Sequence, residues 1–292
     1  MMSLIMDKQQ TEFNKKIVRS HFDRAANSYD KAAVLQREVA DRLLERLDYV
    51  IIEPEIILDV GAGTGYLASG LKGRYKKAHV IEMDLSMKML LQGAKKSPWY
   101  RQLMGNKCRV CGDAEQLPYA NESVDCLISS LTIQWCNNLQ QTFSEFKRVL
   151  KPGGLLMFTT FGPDTLKELR ESWADVDEQG HVSAFLDMHD VGDSLLHAGL
   201  SEPVMDVEHF TLTYPAVGGL VKDLRDIGAT NALQQRAQGL TGKQAYQAMV
   251  QAYEKFRTQG QLPASYEVIY GHAWKGLGQS KPINPQYEIP VS

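Results

Sequence analysis

Cysteine, charge of either sign in excess and long apolar runs are all scarce in this 292-residue chain, and each scarcity removes a class of protein. The four cysteines, Cys108, Cys111, Cys126 and Cys136, include one C-x2-C pair, but no second pair and no histidine cluster stands at zinc-ligand spacing. Cys108, Cys111 and Cys126 fall in stretches that read as strands, where a small apolar thiol packs well, so buried structural cysteines are expected. The seven histidines are scattered, and no metal is expected. A net charge of −3 with no basic tail or extended Lys/Arg run argues against a nucleic-acid partner. No stretch approaches the ~20 apolar residues that span a bilayer. Met1 to Met6 is too short for a secretory core, so the expectation is a cytoplasmic protein with no membrane partner. What is present is 43% hydrophobic content, ample for a core in one large or two small domains.

The most informative stretch is Ile56 to Tyr66, an unbroken apolar strand running into Gly61, Gly63 and Gly65. Such a strand reads as parallel and buried on both faces, and the glycines allow a tight turn and close approach of a ligand at the start of the next helix. A dinucleotide fingerprint would need glycine or alanine where Tyr66 stands, which argues against NAD. A second strand, Ala78 to Met83, leads to Asp84, 19 residues beyond Gly65, about the distance at which an acid meets ribose hydroxyls. Glu82, two residues back and on the same side of the strand, is a weaker alternative.

From Ile56 onward strand and helix alternate, with further strands near Lys107 to Cys111, Val124 to Ser130 and Gly154 to Thr160. That period implies right-handed crossovers and a parallel sheet. Lys151-Pro152-Gly153-Gly154 ends the helix Leu139 to Leu150 and starts the last of these strands. Outside the core lie an N-terminal helical segment, in which Val18, Phe22, Ala25 and Tyr29 recur at helical spacing, and a mostly helical insertion between Phe161 and Pro263. Val221 to Asn231 and Thr241 to Arg257 read as amphipathic helices in that insertion. Residues 276–292 are Pro-rich and polar and read as a loose tail.

The pattern Asp59-x-Gly61-x-Gly63-x-Gly65 resembles motif I of class I S-adenosylmethionine-dependent methyltransferases. Cys111-Gly112-Asp113-Ala114-Glu115-Gln116-Leu117-Pro118 looks like the adenine-reading loop of those enzymes. Phe22-Asp23-Arg24-Ala25-Ala26-Asn27-Ser28-Tyr29, Leu35-Gln36-Arg37, Ser130-Leu131-Thr132-Ile133-Gln134-Trp135-Cys136 and Ile227-Gly228-Ala229-Thr230 narrow this to the malonyl-acyl carrier protein O-methyltransferases of biotin synthesis. The likeness runs from about residue 15 to 275, and the Gln-Trp signature is its most specific part; the longer polar tail departs from it.

The resemblance implies a Rossmann-like α/β fold, mostly parallel, with an antiparallel last strand; Val204 to Tyr214 and Tyr266 to Trp274 would supply the edge pair. It implies a lid segment at 11–50, a methyltransferase core at 51–162 and 200–275, and lid insertions at 163–200 and 216–262. The implied reaction is methyl transfer from S-adenosylmethionine to the free carboxylate of malonyl-acyl carrier protein. Cofactor contacts would come from Asp59, Gly61, Ala62, Gly63, Gly65, Asp84, Leu85, Asp113, Ala114 and Ser130. Asp113 would accept from the adenine amino group, and the Ala114 N–H would donate to a ring nitrogen. Tyr29, Gln134, Trp135 and Arg225 are the candidates on the acceptor side, with His181 and Tyr266 as further donors. Arg225 is the first choice for a positive contact, to the carboxylate, the pantetheine phosphate or the acidic carrier, and Lys222 would help steer docking. Two other readings stay open: a methyltransferase for a small free acid such as trans-aconitate or for a quinone ring carbon, and a non-transferring relative that assembles a respiratory complex.

Overall fold

The computed structural model describes residues 12–96, 109–177, 180–230 and 242–277. Its centre is the seven-stranded sheet β3-β2-β1-β4-β5-β7-β6, made of β1 (Ile56–Val60), β2 (His79–Asp84), β3 (Arg109–Cys111), β4 (Val124–Ser130), β5 (Leu150–Phe161), β6 (Ser201–Tyr214) and β7 (Leu262–Trp274). β1 to β5 pair in parallel, while β7 inserts antiparallel between β5 and β6. The sheet therefore ends in the expected antiparallel pair, with the strand last in sequence lying inside the edge. Both strands of the pair begin earlier than the expected Val204 and Tyr266, at Ser201 and Leu262. Lys107 and Cys108 of the expected third strand lie outside the described residues.

The run Ile57-Leu58 shows why the parallel strands read as continuous apolar sequence. Successive side chains leave opposite faces of a strand. Ile57, Cys126 and Leu155 join one core cluster with Leu43 and Leu71, whereas Leu58, Leu127 and Leu156 join another with Phe143, Phe146 and Leu195. The first cluster packs α3 (Val34–Arg46) and α4 (Tyr66–Arg74) on the sheet; the second packs α6 (Leu139–Val149) and α8 (Met188–His197). The Lys-Pro-Gly-Gly stretch is a bulge rather than a clean stop: β4 pairs Val124 with Leu150 and then jumps to Cys126 with Leu155.

The N-terminal segment departs from one continuous apolar stripe. Asn14 caps α1 (Lys15–Ala25) by accepting from Lys16 N and Ile17 N, at 3.1 and 3.3 Å, and the helix then breaks over Ala26-Asn27-Ser28. The break is held across the chain, because Ser28 Oγ lies within hydrogen-bonding distance of both the Ala25 carbonyl, at 3.0 Å, and the Asp226 carbonyl, at 2.9 Å. Tyr29 thus opens a separate short helix, α2 (Tyr29–Ala32). The insertion contributes α7 (Lys167–Ala174), α8, α9 (Val217–Asp226) and α10 (Lys243–Tyr253). Among the described residues no helix is long and apolar enough to cross a membrane.

Candidate active site

At the point where the crossovers reverse direction, the carboxyl ends of β1 and β4 part, the usual ligand crevice of an open α/β sheet. A cleft of about 640 Å³ opens there, lined by the turn after β1, the end of β2, the loops after β3 and β4, and α1. Gly61 has φ +78° and Gly63 +55°, backbone that a side chain resists. Gly61 N and Ala62 N both donate to the Met83 carbonyl, at 2.7 and 2.9 Å, which folds the turn over the end of β2. A Cβ on Gly61 would lie 1.8 Å from Thr132 Oγ1, whereas one on Gly63 would meet nothing within 4 Å. Gly61 lets two loops touch, and Gly63 leaves backbone bare toward the cleft. Gly65 does neither; it starts α4 in the left-handed conformation, with Glu82 Oε2 3.1 Å from its Cβ position.

Asp84 lines the cleft and accepts from Gly63 N at 2.9 Å and Ser86 N at 2.7 Å. Burial pushes its carboxyl up to about 6 against the lowering pull of those two N–H groups, with nearby Asp23 adding to the rise. Glu82 sits one pleat deeper, 2% exposed, ion-paired with Lys72 and with Arg109 at 2.7 Å, and does not line the cleft. Asp59 is buried, and its Oδ2 has no hydrogen-bond partner among the described residues. Burial first, then the charges of Glu82 and Asp84, hold its carboxyl well above the usual carboxylate range. It lines a crevice that runs on from the cleft past Gly61 and Tyr29.

Leu85, Asp113, Ala114 and Ser130 also line the cleft, and Ala62 lies in the crevice beside it. Asp113 Oδ1 takes a 3.0 Å contact from Lys15 Nζ and a 3.1 Å bond from Glu115 N. Sequence reasoning missed Lys15, which arrives from α1 and is tied as well to Glu115 at 2.6 Å. It also missed Thr132 and Met89 in the lining. Only the Thr132 position carried a signal, inside the Gln-Trp signature.

A second cavity of about 810 Å³ adjoins the first, and Phe22, Tyr29, Leu131 and Trp135 belong to both linings. Trp135 is gripped by Phe13 and Phe22, with ring centroids 5.3 and 5.5 Å away. Leu131 adopts φ +47°, rare for a side-chain-bearing residue, and is held there by Thr159, whose Oγ1 accepts from Leu131 N at 3.0 Å. Gln134 lines this second cavity; its Nε2 donates to the Leu131 carbonyl at 2.8 Å, and its buried Oε1 has no partner among the described residues. Burial, with Asp84 and Asp30 nearby, raises the Tyr29 hydroxyl far above the ordinary tyrosine value, and burial does the same at Tyr266. Both hydroxyls therefore stay protonated donors at neutral pH. His181 and Tyr266 line the second cavity; Arg225 is exposed and lines neither, and Lys222 pairs with Asp226. The structure thus gathers Tyr29, Gln134, Trp135, His181 and Tyr266 around one space and leaves Arg225 outside it.

Asp164, His209 and Glu267 place one ligand atom each within 4.8 Å of one another, but they lie off both cavities. Two of the three are already engaged, Asp164 with Lys167 at 3.2 Å and Glu267 with Asp164 N at 2.8 Å.

The donor set suits S-adenosylmethionine. Bare glycine backbone and a strand-end acid suit a sugar with free hydroxyls, the unpartnered Asp59 oxygen suits a cationic amino group, and the cleft needs no phosphate clamp. Fold and site together define a class I methyltransferase, the class that draws its methyl group from S-adenosylmethionine. A family profile described as "Methyltransferase domain" matches residues 58–158. Among solved structures, a Bacillus halodurans C-125 chain assigned as a methyltransferase superposes with TM-score 0.55 at 20% identity, covering 81% of this chain and 98% of its own. Haemonchus contortus phosphoethanolamine N-methyltransferase 2, solved with S-adenosylhomocysteine, gives TM-score 0.54 at 19% identity over 89% of this chain and 60% of its own. The nearer likeness is in sequence: the malonyl-[acyl-carrier protein] O-methyltransferase of Gallionella capsiferriformans is 52% identical over 90% of this chain and 91% of its own. That of Nitrosospira multiformis is 47% identical over 94% and 93%. The chain belongs to the malonyl-[acyl-carrier protein] O-methyltransferase family.

Proposed function

We propose that this protein methylates the free carboxylate of malonyl-acyl carrier protein, in the cytoplasm, giving the methyl ester that primes pimeloyl and biotin synthesis. The observation that carries the reading is the pair of adjoining cavities with Phe22, Tyr29, Leu131 and Trp135 as their common wall, in a chain whose relatives bear that name. S-adenosylmethionine supplies, when bound, a methyl group on a positively charged sulfur. Asp84 and Asp113, with the Gly61 to Gly65 turn, Ala114 and Ser130, would hold it, and Asp59 would face its amino group.

The acceptor needs no general base, since a carboxylic acid of pKa about 4 is ionised at neutral pH. What the protein must do is orient and dry the two reactants, and orientation alone can supply roughly 7 to 11 kcal/mol of a barrier. Tyr29 reaches both cavities and stays protonated, so its hydroxyl can donate to an acceptor oxygen without neutralising it. The Trp135 ring, wedged by Phe13 and Phe22, fixes the wall and excludes water. Gln134 keeps a buried oxygen for a donor such as a pantetheine amide. Arg225 and Lys222, exposed on α9, suit the acidic surface of the carrier rather than the reacting carboxylate.

The test is incubation with S-adenosylmethionine and malonyl-, or in parallel acetyl-, acyl carrier protein or trans-aconitate, read by intact mass. One methyl gained on the malonyl carrier alone is expected. Methylation of the free acid alone would overturn the carrier reading, and no methylation with cofactor bound would favour a non-transferring protein.

A further inference from the structure

The second cavity is lined by no Lys, Arg, Asp or Glu among the described residues, yet under the functional reading above it must receive a carboxylate. An anion moved into such a space needs a cation or several aimed donors. One lining side chain among those described is of a kind that can carry a positive charge, His181. It is also built to stay in place. Its ring lies flat on the Trp173 indole, with centroids 3.8 Å apart and planes 12° apart. Its Nε2 sits 2.9 Å from Asp177 Oδ1 and 3.1 Å from Oδ2. The side chain is 16% exposed.

We infer that His181, oriented by Asp177 and Trp173, is the residue that binds the acceptor carboxylate and selects it over an uncharged acyl group. With Nε2 committed to Asp177, the ring keeps Nδ1 for a ligand, and as an imidazolium it donates at both nitrogens. Among the described residues, the titratable groups that line this space from other elements are the hydroxyls of Tyr29 on α2 and Tyr266 on β7. Both stay protonated and neutral, so neither puts a negative charge beside the incoming carboxylate. Asp223 and Glu168 act on Tyr266 from behind, and Glu168 is spent on Ser265 N at 3.1 Å. Methyl transfer erases the carboxylate's charge, so a cation partner grips the bound substrate more than the transition state. Its removal then shows chiefly in KM.

The experiment rests on the malonyl-carrier reading and separates the two. Steady-state kinetics are run on the wild type, His181→Asn, Asp177→Asn and a surface control, His209→Asn. Acetyl-acyl carrier protein serves as a competitive inhibitor, and S-adenosylhomocysteine binding reports an intact fold. For His209→Asn, KM for the malonyl carrier should match that of the wild type. For His181→Asn it should be raised about tenfold to a hundredfold, with kcat not lowered and acetyl-carrier inhibition and S-adenosylhomocysteine affinity little changed. Asp177→Asn, which frees the ring to turn, should raise KM by a smaller factor. A His181→Asn protein with wild-type KM overturns the inference, as does one in which acetyl-carrier inhibition weakens as much as malonyl-carrier binding. A wild type that fails to methylate the malonyl carrier overturns the functional reading itself, and the assignment of His181 with it.

Discussion

Replacing Gly61 by alanine should unfold the cofactor turn by two separable costs. The backbone cost comes from φ +78°, where an L side chain loses about 1–2 kcal/mol. The steric cost comes from Thr132, whose Oγ1, Cγ2 and Cβ would stand 1.8, 2.5 and 2.6 Å from the new methyl. Overpacking of that kind typically costs about 1–3 kcal/mol. The sum, about 2–5 kcal/mol, would lower Tm by roughly 3 to 8 °C in a chain of this size. Gly63→Ala at φ +55° meets no atom within 4 Å and should lose only the backbone part. Its methyl projects toward the cleft, so cofactor affinity should fall while stability falls little. Differential scanning calorimetry and titration with S-adenosylhomocysteine on Gly61→Ala, Gly63→Ala, Thr132→Gly and Gly61→Ala/Thr132→Gly read all four numbers. The double variant removes the clash and keeps the strain, so it should regain about 1–3 kcal/mol over the sum of the single changes. Additive losses in the double variant would refute the contact with Thr132 as the reason for glycine at 61.

Two further outcomes follow from the acids beneath the turn. Asp84, pushed up to about 6 by burial, is more easily protonated folded than unfolded, so its contribution to stability is full below the unfolded value near 4 and is lost as pH rises through about 6. Hydroxyl donors prefer the ionised acid, so affinity for S-adenosylhomocysteine should drop as pH falls below about 6; isothermal titration from pH 5 to 8 checks this, and Asp84→Asn should weaken binding and flatten the profile. Glu82→Gln leaves Lys72 and Arg109 facing a neutral buried amide, and breaking a buried pair costs about 3–5 kcal/mol, so urea denaturation should show a large loss with the m-value unchanged.

Local pattern carried the sheet because its information is local. A run such as Ile56 to Val60 alternates between two apolar faces, and a turn that must take positive φ at 61, 63 and 65 leaves glycine as the residue that takes it without strain. Asp84 closes β2 by strand length alone, whereas the antiparallel pairing of the last two strands came from the family resemblance. The sequence by itself thus determined the α/β sheet, the glycine turn and the acid facing it. Tertiary structure decided the rest. The break after Ala25 is held by the Asp226 carbonyl, 198 positions from Ser28, and Lys15 meets Asp113 98 positions away; no periodicity encodes such distances. Of the three partners open to Arg225 in the sequence, the carboxylate, the pantetheine phosphate and the acidic carrier, its exposed position suits the last, because the helical phase of α9 turns Leu224 and not Arg225 to the second cavity. His181, one of seven scattered histidines, is singled out by Trp173 beneath it and by a lining that, among the described residues, holds no Lys, Arg, Asp or Glu. Charge in a cavity is a property of everything that surrounds it, and that is fixed only when α1, α9 and the segment after α7 close over the sheet.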